Sequence, residues 1–226
     1  MSDKGESRVN NQPSKGRPRM GPIARRTMIA LAAAFAVGLA GCNKGSTGAD
    51  VSADMSLGPA NAKVTVIEYA SPTCPHCAHW NEETFGPFKA KYIDTGKVRY
   101  VMREAMIHGP PDAAVFLLAR CAGKDKYFSV VDGAWRTLPE LNQSGDVRGW
   151  IMRLGQSMGM SDGDIDKCIT DQKALDALNA RYTKEMKEFD VQYTPTFVVN
   201  GKKIETPAPP TLEELSAIID PLLAAK

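Results

Sequence analysis

Two cysteines separated by two residues, in SPTCPHCAHW over residues 71–80, admit three kinds of chemistry. They could clip a metal, staple a loop, or carry electrons as a dithiol and a disulfide. A structural zinc site takes four ligands, usually from two Cys or His pairs. Beside Cys74 and Cys77 the only extra candidates nearby are His76 and His79, and no second Cys-x-x-Cys exists. His79 is two positions beyond Cys77, so the pair points to different faces of a helix. As a staple, a disulfide over so short a loop is worth only about 2 kcal/mol in the chain-entropy model. The redox reading explains more of the surrounding residues.

KVTVIEYA, residues 63–70, is β-branched and aromatic and reads as a buried strand with one acid, Glu68. Ser71-Pro72-Thr73 breaks it, and a helix is expected to begin near Cys74. Free N–H groups and the positive dipole end at a helix start stabilise a thiolate there. Such thiols ionise at roughly 3.5–7.5, against about 8.5 unperturbed. The imidazole of His76 adds a donor or a positive charge beside the sulfur. A stabilised thiolate makes the disulfide a stronger oxidant, by about 30 mV for each 1.4 kcal/mol. Cys77, one turn into the helix, is expected to be the more buried, resolving thiol.

Phe85, Phe88 and Tyr92 continue the helical spacing, with a bend expected at Pro87. KVRYVMRE, residues 97–104, reads as a second strand. His108, before Gly109-Pro110-Pro111, reads as a loop residue. From Pro110 to about Asp190 every pattern is helical: Ala114, Leu117, Leu118 and Cys121 share one face, and Ile165, Cys168 and Ile169 repeat that spacing. PTFVVNGKKI, residues 195–204, reads as a hairpin turning at Asn200-Gly201. Thr211 and Glu214 have the spacing of a capping box for a last helix.

The N-terminal region carries different information. A polar stretch leads to Arg25-Arg26 and an apolar run from Met28 to Ala40, 13 residues. A membrane-spanning helix needs roughly 20, so this run reads as the core of a signal peptide. Leu39-Ala40-Gly41-Cys42 resembles the bacterial lipoprotein box, which implies lipidation of Cys42 and residues 1–41 as leader. Residues 42–57, small and polar after the cysteine, read as a flexible tether. The first 41 residues hold seven of the 28 basic and two of the 26 acidic residues; the remainder carries 21 and 24, a net charge of −3. That excludes an electrostatic footprint for nucleic acid.

An exported chain lives where disulfides persist. With Cys42 lipidated, four cysteines remain: Cys74, Cys77, Cys121 and Cys168. Three pairings are possible, and spacing alone excludes none.

At this point a family comes into view. Cys74-Pro75-His76-Cys77 looks like the active site of DsbA-type thiol oxidoreductases, a branch of the thioredoxin superfamily. Glu68, six residues before Cys74, matches their buried acid. Thr194-Pro195-Thr196-Phe197 resembles their cis-proline loop, whose free backbone groups pair with substrate. The helical block falls where DsbA inserts its helical domain. The resemblance, over about residues 57–226, implies an α/β, thioredoxin-like fold from 58–109 and 191–226, with an all-helical subdomain inserted over 110–190. It implies an enzyme that passes a disulfide to exported proteins through a mixed disulfide, with Cys74, Cys77, His76, Pro75 and Glu68 catalytic and Thr194 and Pro195 binding substrate. It implies no cofactor or metal, a second, structural disulfide between Cys121 and Cys168, and a membrane reoxidase of the DsbB type. A location in the periplasm, anchored by lipid to a membrane, follows from the leader. A DsbC-type isomerase carries an N-terminal dimerisation domain, which the tether cannot encode, so a monomer is expected. Thr194 is the residue many isomerase and reductase relatives carry where the best-known DsbA has valine. A reductase or monomeric isomerase is therefore the alternative, and a non-enzymatic peptide- or metal-binding module is another.

Overall fold

The computed structural model describes residues 49–225. Its centre is a five-stranded sheet in the order β1-β3-β2-β4-β5. The strands are β1 (Met55–Leu57), β2 (Val64–Ala70), β3 (Val98–Glu104), β4 (Thr196–Val199) and β5 (Lys202–Lys203). β2 and β3 run parallel, from Val64 opposite Val98 to Ala70 opposite Glu104. The other pairings are antiparallel. β2 lies between two neighbours, which is why its residues are β-branched or aromatic almost throughout.

The chain leaves β2 through Ser71–Thr73 and enters α1 (Pro75–Trp80). Two π-helical segments, Asn81–Phe85 and Lys89–Ile93, flank the short α2 (Gly86–Phe88). Pro87 has no N–H to donate one turn back, so the expected bend takes the form of wider turns on either side. The face stays in register: Phe88 and Tyr92 are fully buried. Between β3 and β4 come five helices and no strand: α3 (Pro110–Cys121), α4 (Lys124–Ser144), α5 (Val147–Ser157), α6 (Asp162–Ile169) and α7 (Gln172–Glu188). A disulfide joins Cys121, the last residue of α3, to Cys168 in α6, with their Cα atoms 6.0 Å apart. Asn200 and Gly201 turn the β4–β5 hairpin with φ of 45° and 81°, the paired positive values of a type I′ turn. α8 (Leu212–Ala224) starts on the Thr211–Glu214 capping box and packs against β2.

The tether expected over residues 42–57 needs correction. Residues 42–48 lie outside the described part, but β1 belongs to the sheet, with Met55 opposite Met102 and only 4 % exposed. Three residues are too few to show a period of two, and the hydrogen-bond ladder that makes them a strand comes from β3. Side chains from the helical block hold the segment as well. The Arg120 guanidinium donates to the carbonyls of Asp50 and Ala53 at 2.7 and 3.2 Å, and Arg181 pairs with Asp54.

Arg120 does this from a buried position. Its Nε and Nη2 donate to the two oxygens of Glu104 at 2.5 and 2.7 Å, and the Tyr127 hydroxyl donates to the same carboxylate at 3.1 Å. One bidentate pair thus links β3, α3, α4 and the N-terminal segment. Removing one charge strands the other in the interior, which costs about 3–5 kcal/mol, whereas replacing both with apolar groups costs much less. Arg120→Met is therefore expected to lower unfolding free energy by about 3–5 kcal/mol, and adding Glu104→Met should restore part of it. Denaturant unfolding of the four proteins in this cycle, with the Cys121–Cys168 bond intact, measures the coupling.

Candidate active site

Cys74 is the residue that caps α1. Its φ and ψ of −84° and 119° are extended, and its sulfur accepts the N–H of Cys77 at 3.4 Å. Pro75 at the first helical position has no N–H of its own, so the donors of His76 and Cys77 are left facing the sulfur. The Cys74 thiol ionises at about 5 instead of the ordinary 9.0. The Cys77 thiol, donating to the Cys74 sulfur, is the largest cause; burial opposes it, and the backbone N–H groups of Cys77 and His76 add to it. His76 thus differs from its sequence reading. Its side chain is exposed, and it acts on the sulfur through its backbone N–H.

Cys77 lies one turn on and is fully buried. Burial pushes its thiol well above the ordinary range, and the hydrogen bond to Cys74 pushes it further. Both cysteines are unbonded. On β2, Glu68 is also fully buried, and burial raises its carboxyl to about 8. Its Oε2 accepts the hydroxyl of Tyr100 from β3, while Oε1 is buried without a partner. Tyr100 was not identified from the sequence as a site residue. It is fixed among aromatic rings, with centroids 5.2 Å from Phe85 and 6.0 Å from Phe128.

The Thr194–Pro195 peptide bond is cis. It brings the Thr194 carbonyl to 3.3 Å from the Cys74 sulfur, where the thiol donates to it. Pro195 adds no N–H beside the thiolate. The Thr194 hydroxyl is buried without a hydrogen-bond partner. Trp80 closes the floor: its Nε1–H donates to the Pro210 carbonyl at 2.8 Å and its ring lies 4.6 Å from Phe197. Beside α1 runs a cleft of about 900 Å³ lined by Pro75, His79, Phe85, Trp135 and Arg136.

The structure therefore gathers Glu68, Cys74, Pro75, Cys77, Thr194 and Pro195 around one pair of sulfurs. Cys121 and Cys168 lie apart in the helical block, and Cys42 lies outside the described residues. Among the described residues no group of three or more His, Cys, Asp or Glu side chains is gathered to hold a metal ion. A second cluster escaped the sequence reading. His108, placed there in a loop, sets its Nδ1 2.9 Å from Ser71 Oγ, and Asp112 of α3 accepts from Ser71 and Thr73 at 2.9 and 2.6 Å. Partners 37 to 41 residues apart leave no local signal.

Comparison with known proteins agrees with this arrangement. A family model described as thioredoxin matches residues 50–221. A Rickettsia bellii protein assigned as a protein-disulfide oxidoreductase is 36% identical over 168 residues, 74% of this chain, and the chain spans only 63% of that relative's length. Disulfide bond formation protein D of Bacillus subtilis is 24% identical over 152 residues, covering 66% of this chain and 68% of that one. The crystal structure of Wolbachia pipientis alpha-DsbA1 superposes with a TM-score of 0.69 at 23% identity, over 77% of this chain and 93% of that one. At that identity the last likeness is one of fold. With a sheet whose β3–β4 connection is a block of five helices and a Cys-Pro-His-Cys pair at a helix start, the chain belongs to the thioredoxin family and has the fold of its DsbA-type members.

Proposed function

We propose that this protein is an exported thiol:disulfide oxidoreductase that donates the Cys74–Cys77 disulfide to cysteine-bearing proteins. One observation carries the proposal. The two sulfurs sit in opposed environments, Cys74 lowered to about 5 and Cys77 raised well above its ordinary range. A substrate thiolate attacks the Cys74 sulfur, and the Cys74–Cys77 bond breaks as the substrate–Cys74 bond forms. Cys77 leaves with the electron pair and takes a proton from Glu68, which ionises at about 8 and so holds one at neutral pH. The second substrate thiolate then attacks the substrate sulfur of the mixed disulfide. Cys74 leaves readily, because its thiolate is already solvated by N–H donors. Two electrons have passed from substrate to enzyme, and the substrate holds the disulfide.

The family membership and the disulfide-related names of the relatives support this reading. The apolar run Met28–Ala40 and Cys42 support a periplasmic, lipid-anchored protein, and a membrane reoxidase of the DsbB type would restore the disulfide. Thr194 before the cis proline favours the second reading, a reductase or monomeric isomerase.

Trapping tests the reaction. Cys77→Ser, incubated with a disulfide-bearing peptide, is expected to accumulate a mixed disulfide at Cys74, whereas Cys74→Ser forms none; equal adduct in both variants would contradict the proposal. The thiolate tests its cause. In the reduced protein, thiolate absorbance near 240 nm is expected to titrate with a midpoint near 5 and to vanish in Cys74→Ser. A folded-state midpoint below the unfolded one adds stability that is complete above about 9 and lost as pH falls through about 5. Glu68, raised to about 8, contributes in the opposite sense, its stability lost as pH rises through that value. Comparison with Cys74→Ser at each pH offsets that contribution. The melting temperature of the reduced protein, minus that of the variant, should therefore rise from pH 5 to pH 9.

A further inference from the structure

Asp112 is a fully buried carboxylate that the proposed reaction does not use. It stands in the first turn of α3, the first helix after β3. Its Oδ1 accepts the hydroxyls of Ser71 at 2.9 Å and Thr73 at 2.6 Å, and its Oδ2 accepts the backbone N–H of His108 at 2.9 Å. A carboxylate is not held in the interior without compensation, and three donors supply it here. Ser71 is the other centre of the cluster. Its Oγ also accepts the Thr73 N–H at 3.2 Å, and with its one hydrogen given to Asp112 it takes a second from Nδ1–H of His108 at 2.9 Å. Its carbonyl accepts the Trp135 indole N–H of α4 at 2.9 Å and the Cys74 N–H at 3.2 Å. Two helices of the block thus hold, by side-chain hydrogen bonds, the three residues that lead from β2 to the redox cysteine.

We infer that Asp112 is a positioning residue for the redox pair: through Ser71 and Thr73 it fixes where Cys74 sits on the start of α1, so the helical block sets how strongly the thiolate is held. The inference rests on the redox reading of Cys74 and deepens it. The geometry explains why a loop would need five side-chain hydrogen bonds. The Cys77 N–H reaches the sulfur at 3.4 Å, and because such a bond weakens with distance and as its angle closes, a displacement of Thr73 and Cys74 would loosen it.

Removing Asp112 itself would also remove a negative charge, which by Coulomb's law alone favours the thiolate. Thr73→Val and Ser71→Ala keep that charge and delete the bonds. The readout is the midpoint of thiolate absorbance in the reduced protein, with thermal unfolding measured alongside. Thr73→Val is expected to raise the acid midpoint of Cys74 about threefold in ionisation constant, and the double variant about tenfold, the effect of losing one or two hydrogen bonds. A double variant that melts earlier yet titrates like the parent would overturn the inference, because a purely structural cluster moves only the melting temperature. If the double variant does not fold, Thr73→Val alone decides, since Thr73 is only half-buried. A parent midpoint near 9 would sink the redox reading instead, so the two failures are distinct.

Discussion

A helix cannot satisfy its own first N–H groups, and in this protein a sulfur stands where they point. Most of the site follows from that constraint. β2 must end three residues before Cys74 so that Cys74 can take the extended conformation of a cap. Proline at the next position withholds an N–H that would otherwise need a partner, and its φ suits a first turn. The cis bond at Pro195 brings a threonine, and no competing N–H, to the opposite side of the same sulfur.

The second cysteine shares the helix and little else. A residue three positions on faces inward, where the sheet and the aromatic rings exclude water, and the charged form of Cys77 is disfavoured there. The acid beneath follows the same rule. Glu68 has one hydrogen bond, from Tyr100, and burial outweighs it, so the carboxyl holds its proton near neutrality. The start of α1 thereby supplies a sulfur that keeps its negative charge and a sulfur that refuses it, and β2 supplies a proton to pass between buried groups. The buried Glu104–Arg120 pair acts at longer range, tying the strand that carries Tyr100 to the helix that carries Asp112.

Features set by neighbouring residues were legible in the sequence. Asn200-Gly201 announces positive φ, Thr211 and Glu214 announce a helix start, and the run from Val64 to Ala70 announces a strand. The order of cysteines, acid and Thr-Pro pair suggested which residues meet, and the structure sets them around one point. What was not legible depends on distant partners. β1 is a strand because β3 offers it a ladder. Glu104 and Arg120 look like ordinary surface charges until their burial is seen. His108 does lie in a loop, but its contact with Ser71, 37 positions away, left no local signal. His76 misled in another way: its type suggested an imidazole at the sulfur, but a side chain on the outer face of α1 reaches solvent while its backbone does the work.

The central claim is that the reduced pair is stabilised by its thiolate, and the reduction potential of Cys74–Cys77 tests it most directly. Equilibration against glutathione, on the chain from Asn43 onward, should give a value near about −120 mV, at the strongly oxidising end of the scale. A value near about −270 mV, that of a reducing thioredoxin, would contradict the account and mark the pair as one that needs an electron supply.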